Sequence, residues 1–228
     1  MDTEEFELWE SESADEFAAA VAGDISFIID QALDARREAI VALPVEDFLL
    51  PAYALVAEGK RNWRHVIIVP SYDALIAVDD PKSKVATLAR IFMAKGARVL
   101  PLGSENADYR MAGAAADARL QDLGWPFDLV LLTMSDEGDV SGLVQGPDLD
   151  EALTADDDRR AYGMAADDGE AHVTISRKTI VSARTLMFAL QGASQSSEVA
   201  TAVEGGDSPA AKLLAGVTVP IDAHVLLD

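Results

Sequence analysis

Short apolar runs alternate with helical stretches along almost the whole chain. FELWE (residues 6–10) predicts a short first strand. Ser13 with Glu16 three residues later is a capping box, and Phe17, Val21, Ile25, Ile28 and Ile29 continue it as one helical face. EAIVAL (38–43) predicts a buried strand, followed by a helix from about 47 to 58 that stops at Gly59. HVIIVP (65–70) predicts the next strand. Asp80 and Pro81 suit the N-cap and first position of a helix over 81–95, closed by Gly96. ARVLPL (97–102) reads as a strand and 107–123 as an alanine-rich helix ending at Gly124. FDLVLLTM (127–134) is the most apolar strand, HVTIS (172–176) alternates with period two, and TLMFALQ (185–191) is again buried. Helices over 194–204 and 209–215 and a last strand, AHVLLD (223–228), complete the pattern.

Strands separated by single helices imply parallel pairing, right-handed crossovers and helices on both faces of one sheet. The expected class is therefore α/β, with a mostly parallel central sheet in three layers. Residues 146–170 are polar and acidic and read as a surface loop with one short helix, not as a linker. One domain over 1–228 is expected.

Composition narrows the chemistry. Half of the 228 residues are apolar, so a full core can form. Eighteen basic against 40 acidic residues leave a net charge of −22, which repels nucleic acid and anionic membranes and slows anionic substrates. With no cysteine, disulfides, zinc–thiolate sites and thiol nucleophiles are excluded. The opening MDTEEFELWESES has no apolar signal core, and no apolar run nears the roughly 20 residues that span a bilayer. A soluble cytoplasmic protein, monomeric or homodimeric, is expected.

Four stretches carry a family resemblance: AVAGDISFIIDQALDAR, WRHVIIVPSYDALIAVDDPKSK, the segment from ADYRMAG to LVQGPDL, and HVTISRKTIVSARTLMFALQGAS. Over nearly its whole length the chain resembles the 6-phosphogluconolactonase family, which shares its fold with the glucosamine-6-phosphate isomerases. The resemblance implies hydrolysis of a sugar-phosphate lactone in the pentose phosphate and Entner–Doudoroff context. It also implies where the site lies. The family's phosphate loop, usually S-G-G-S-T-P, falls on Pro44, Val45, Glu46, Asp47, Phe48 and Leu49. Its G-D-E-R falls on Ser71, Tyr72, Asp73 and Ala74. Its G-M-G-x-D-G-H-T-A-S-L-F-P-G falls on Thr133 to Gly146, so that Asp136 and Glu137 enter the loop and Asp139 stands where the family keeps its general-base histidine. Its late lysine falls on Gln195. The expected substrate-binding positions are thus Asp47, Ser71, Asp73, Asp136, Glu137 and Gln195, with Asp139 as the candidate base and with no cofactor or metal.

Each departure removes glycine, a cation or histidine. A phosphate cradle turns backbone N–H groups toward the anion, which glycine permits. A carboxylate 4 Å from a phosphate opposes it by about 4 kcal/mol per unit-charge pair near a protein surface. An ordinary aspartate is about 2.6 pKa units less basic than histidine. Three functions stay open at this point. The first is a catalytically silent relative that binds a sugar-derived small molecule or a protein partner. The second is a lactone hydrolase with a rebuilt site and Asp139 as base. The third is a Mg²⁺ or Ca²⁺ site at the acidic loop. Arg177, Lys178 and Arg184 are candidate replacements for the lost cations. His65, His172 and His224 read as structural or exposed, and Ser135 lies outside any G-x-S-x-G elbow.

Overall fold

The computed structural model describes residues 6–106, 108–135, 138–154, 158–167 and 169–227. The chain runs β1 (Phe6–Ser11), α1 (Ala14–Arg36), β2 (Ala39–Leu43), α2 (Leu50–Glu58), β3 (Val66–Pro70), β4 (Tyr72–Ala74) and α3 (Lys84–Phe92). It continues through β5 (Arg98–Val99), α4 (Tyr109–Gln121), β6 (Leu129–Leu132), α5 (Leu149–Thr154), β7 (Ala161–Ala165), β8 (Ala171–Ile175) and α6 (Arg177–Val181). Then follow β9 (Leu186–Gln191), α7 (Gly192–Glu204), α8 (Pro209–Leu214) and β10 (Ile221–Leu226).

Seven strands form one parallel sheet in the order β1-β10-β9-β6-β2-β3-β5. Residues of β2 alternate between two hydrophobic cores, as the pleat requires. Val41 and Leu43 face the core built with Phe17, Ile25, Tyr53 and Phe92 from α1, α2 and α3. Ile40 and Ala42 face the core built with Ala116, Leu153, Val199 and Leu213 from α4, α5, α7 and α8. Burial on both faces is why these strands read as unbroken apolar runs. The expected α/β class, with a mostly parallel sheet and helices on both faces, is the observed one. A buried carboxylate closes the lower edge of the sheet. Asp128 accepts hydrogen bonds from the Ile40 amide at 2.8 Å and from Arg36 at 2.6 Å, tying the start of β2 to that of β6.

Three expectations need correction. Residues 146–170 are not only a loop with a short helix, α5, because β7 also lies there. It pairs antiparallel with β8, and β8 with β4, as a separate three-stranded sheet. HVTIS therefore sits outside the central sheet. Gly163 of β7 lies against the α4 backbone at Tyr109, where a Cβ would overlap the Tyr109 carbonyl. The helix expected from Asp80 begins instead at Ser83, whose hydroxyl accepts from the Ala86 amide. Asp73 decides this start: its carboxylate accepts from the Lys84 and Val85 amides at 2.9 and 3.2 Å. Asp80 caps a turn instead, accepting from the Lys82 amide. The strand expected over 97–102 shortens to Arg98–Val99.

Candidate functional site

Strand order reverses at β2. The chain leaves it toward β3 on one side, and β6 flanks it on the other. In open α/β sheets the crevice beyond the carboxyl ends of the strands at such a switch point is where ligands bind. A cleft of about 710 Å³ lies there, walled by the segments that follow β2, β6 and β9.

The first wall is Val45 to Phe48. Three residues beyond β2 the chain enters a 3₁₀ turn over Asp47–Leu49 and then α2, and the Tyr53 hydroxyl donates to the Pro44 carbonyl at 2.7 Å. None of residues 44–49 takes a left-handed conformation. The segment is a helix entry, with Glu46 and Asp47 presented to the cleft. Burial, and then the Glu46 charge, push the Tyr53 phenol well above the ordinary tyrosine range.

The second wall is the loop after β6. Ser141 stitches it: its hydroxyl accepts from the Thr133 amide at 2.8 Å, and its own amide donates to the Thr133 carbonyl at 3.1 Å. Ser141 and Gly142 take positive φ of 40° and 87° to turn the chain back. Gly142 is packed so tightly on Tyr72 that a Cβ would come 2.6 Å from the Tyr72 Cβ. Asp139 is half-buried on this wall, and its Oδ1 accepts from the Gln145 amide at 3.0 Å. The third wall is Gln191 and Gln195, where the Gln195 side chain accepts from the Gln191 amide at 2.9 Å.

Tyr72 lies on the cleft floor, and Lys84 sits behind it, outside the cleft lining. The Tyr72 hydroxyl donates to Glu46 at 2.6 Å. The Lys84 ammonium donates to the Val45 carbonyl at 3.0 Å and to Glu46 at 3.4 Å, and lies 4.1 Å from the centre of the Tyr72 ring. Burial, then the bond to Glu46, raise the Tyr72 pKa beyond the ordinary range, so the phenol stays protonated as a donor. Behind Tyr72 a second groove holds Lys84, Asp139, Glu170 and His172. His172 Nε2 is 2.6 Å from the Gly142 carbonyl. Burial lowers its pKa, against the raising influence of the Gly142 carbonyl, Glu170 and Asp139. The imidazole is therefore neutral at pH 7, with Nε2–H donating to that carbonyl.

The expected site residues divide into three groups. Asp47, Asp139 and Gln195 meet on the cleft wall. Ser71 and Asp73 do not: both are buried, Ser71 donating to the Leu131 carbonyl and Asp73 holding the start of α3. Asp136 and Glu137 lie outside the described residues. The three candidate cations are engaged elsewhere and none lines the cleft. Arg177 donates to the Lys212 and Ala215 carbonyls, Lys178 pairs with Asp158 at 2.7 Å, and Arg184 pairs with Asp128 at 3.5 Å. The nearby cation is Lys84, which the misplaced helix start at Asp80 concealed. His172, read as structural or exposed, is half-buried edge-on to Tyr72 and held by the Gly142 carbonyl, a structural placement.

The described lining of the cleft carries three carboxylates (Glu46, Asp47, Asp139) and no lysine, arginine or histidine. Among the described residues no group of three or more His, Asp or Glu side chains is placed to hold a metal ion. No helix among them is long and apolar enough to cross a membrane.

Comparison with known proteins agrees with this architecture. A 6-phosphogluconolactonase of Mesorhizobium japonicum is 27% identical over 199 residues, covering 85% of this chain and 82% of that protein. The crystal structure of a 6-phosphogluconolactonase from Shewanella baltica superposes with a TM-score of 0.87 at 21% identity, covering 97% of this chain and 98% of that one. A monomeric glucosamine-6-phosphate deaminase superposes with a TM-score of 0.78 at 14% identity, covering 96% and 97%. The model of the glucosamine-6-phosphate isomerases/6-phosphogluconolactonase family matches residues 12–220, which include every strand from β2 to β9 and every wall of the cleft, and the chain belongs to that family.

Proposed function

We infer that this chain is a 6-phosphogluconolactonase relative that has given up hydrolysis of the phosphorylated lactone and keeps the cleft to bind a small neutral or cationic polyhydroxy compound. One observation carries the reading: the described lining presents Glu46, Asp47 and Asp139 with no cation, and the adjacent Lys84 is committed to Glu46 and the Val45 carbonyl. Ring opening of a lactone needs a base to activate water and a donor to hold the oxyanion. A dianionic sugar ester would also have to enter against three carboxylates. Neutral hydroxyls, by contrast, suit this wall, because carboxylates and the Gln191 and Gln195 amides accept and donate hydrogen bonds to them. The test is turnover of 6-phosphogluconolactone by the purified protein, followed as acid release against the spontaneous rate. The rate should equal the spontaneous one; saturable turnover well above it would reject the reading.

A second reading has its own support. Asp139 stands half-buried on the cleft wall with one carboxylate oxygen fixed by the Gln145 amide. In that position it would serve as the base of a hydrolase acting on an unphosphorylated lactone. Such an activity would fall about 10²–10⁴-fold in Asp139→Asn, and an unchanged rate would remove Asp139 from the role.

A further inference from the structure

The family cleft is not the only built concavity. A groove of about 630 Å³ lies at the far edge of the sheet, between β1, the start of β10 and α1. It shares no lining residue with the cleft. Its apolar surface is unusual for an exposed site. Trp9 is 54% and Phe27 64% exposed, and both line the groove beside Ile28. Its rim is acidic, with Glu7, Glu10, Glu16, Asp24 and Asp222. The only basic side chain on the lining besides His224 is Arg184, which pairs with Asp128.

A second feature points to a ligand. His224 forms part of the wall and is only 3% exposed. Its Nε2 lies 2.7 Å from Asp24, while Nδ1 has no hydrogen-bond partner among the described residues. Buried polar atoms are nearly always paired, so this ring nitrogen, sealed within the groove wall, is an unmet valence. Asp222 lines the same groove. Burial, and then Asp24 and Glu7, raise its pKa above the ordinary aspartate value, and only His224 opposes them. A positive charge placed there would relieve all three carboxylates at once.

We propose that this groove binds a small organic cation with an apolar body, its ammonium seated among Asp222, Asp24 and Glu7 and its body laid over Trp9 and Phe27. The volume suits a ligand of that size. Trp9 adds the attraction of an indole face for a cation. A second copy of the chain fits poorly, because pairing at this edge would bring the same acids together on a molecule of net charge −22.

The probe is 2-phenylethylammonium, titrated calorimetrically into the whole protein, with 2-phenylethanol as its neutral counterpart. The ammonium should bind saturably in the range of about 0.1–1 mM, and the alcohol about tenfold more weakly or worse. Trp9→Ala, at an exposed position, and Asp222→Asn should each weaken the ammonium about fivefold or more while the thermal transition stays within a few degrees. Absence of saturable heat up to about 10 mM would overturn the proposal. So would equal binding of the alcohol, or unchanged affinity in both variants. A concentration-dependent dimer abolished by Trp9→Ala would also overturn it, by assigning the face to a second copy.

Discussion

Removing one negative charge from the cleft should make it measurably more receptive to a sugar phosphate. Asp47 is the cleanest position. It is exposed on the cleft wall and makes no side-chain hydrogen bond among the described residues, so Asp47→Asn leaves the scaffold unaltered. A cleft of about 710 Å³ has the volume of a sphere about 5.5 Å in radius, so a phosphate at its centre lies about that far from a wall carboxylate. At that distance each unit-charge pair costs about 0.75 kcal/mol even at the dielectric constant of water, and a dianion doubles this to about 1.5 kcal/mol. That is about tenfold in affinity as a minimum. Removing the charges of Glu46, Asp47 and Asp139 together should yield about 4.5 kcal/mol, on the order of a thousandfold or more. The assay is ligand-detected NMR with glucose 6-phosphate, which reads millimolar dissociation constants. The gain should shrink as salt rises, since charges about 10 Å apart are largely screened at about 0.1 M. Affinity within twofold of wild type in both the single and the triple variant, with the fold intact, would refute the electrostatic reasoning.

Other outcomes follow from separate contacts. Gly142→Ala should destabilise the protein by about 2–4 kcal/mol in urea unfolding, because φ is 87° and the new methyl would meet Tyr72. Asp128→Ala should cost about 2–3 kcal/mol in the same assay, mainly by stranding the buried Ile40 amide, since Arg36 is partly solvated. Tyr53 and Tyr72 have raised folded pKa values, so their contribution to stability is complete below about pH 10, the unfolded value, and is lost as pH rises beyond it. Ultraviolet titration of the native protein should show Tyr53 and Tyr72 ionising only above the ordinary tyrosine range. His172 has the opposite sign. Its folded pKa is depressed, so its contribution is present above about pH 6.5 and fades as pH falls through the folded value, which NMR of the imidazole protons would locate below the ordinary range.

The parallel sheet was legible because β2, β3, β6 and β9 are buried on both faces and so appear as apolar runs between helical patterns. The small sheet was not. AYGMA has no strand signature of its own; β7 exists through its pairing with β8 and the approach of α4 to Gly163. The start of α3 was misread because the deciding group, the Asp73 carboxylate, lies ten residues before Ser83 in sequence and across a turn in space. The polar contacts of Glu46 escaped for the same reason: Glu46 meets Tyr72 across 26 residues and Lys84 across 38. Local pattern places the loops that follow strands, and the family resemblance laid over the chain places Asp47, Asp139 and Gln195. It does not reveal that Ser71 and Asp73, one strand over, turn inward to hold the scaffold.

The central claim is that the cleft refuses a doubly charged sugar ester. Phosphorus-31 NMR of 6-phosphogluconate, titrated with the unmodified protein at low salt, addresses it directly. The phosphate resonance should keep its shift and width up to about 10 mM ligand. A saturable shift or broadening with a micromolar dissociation constant, displaced by inorganic phosphate, would contradict it.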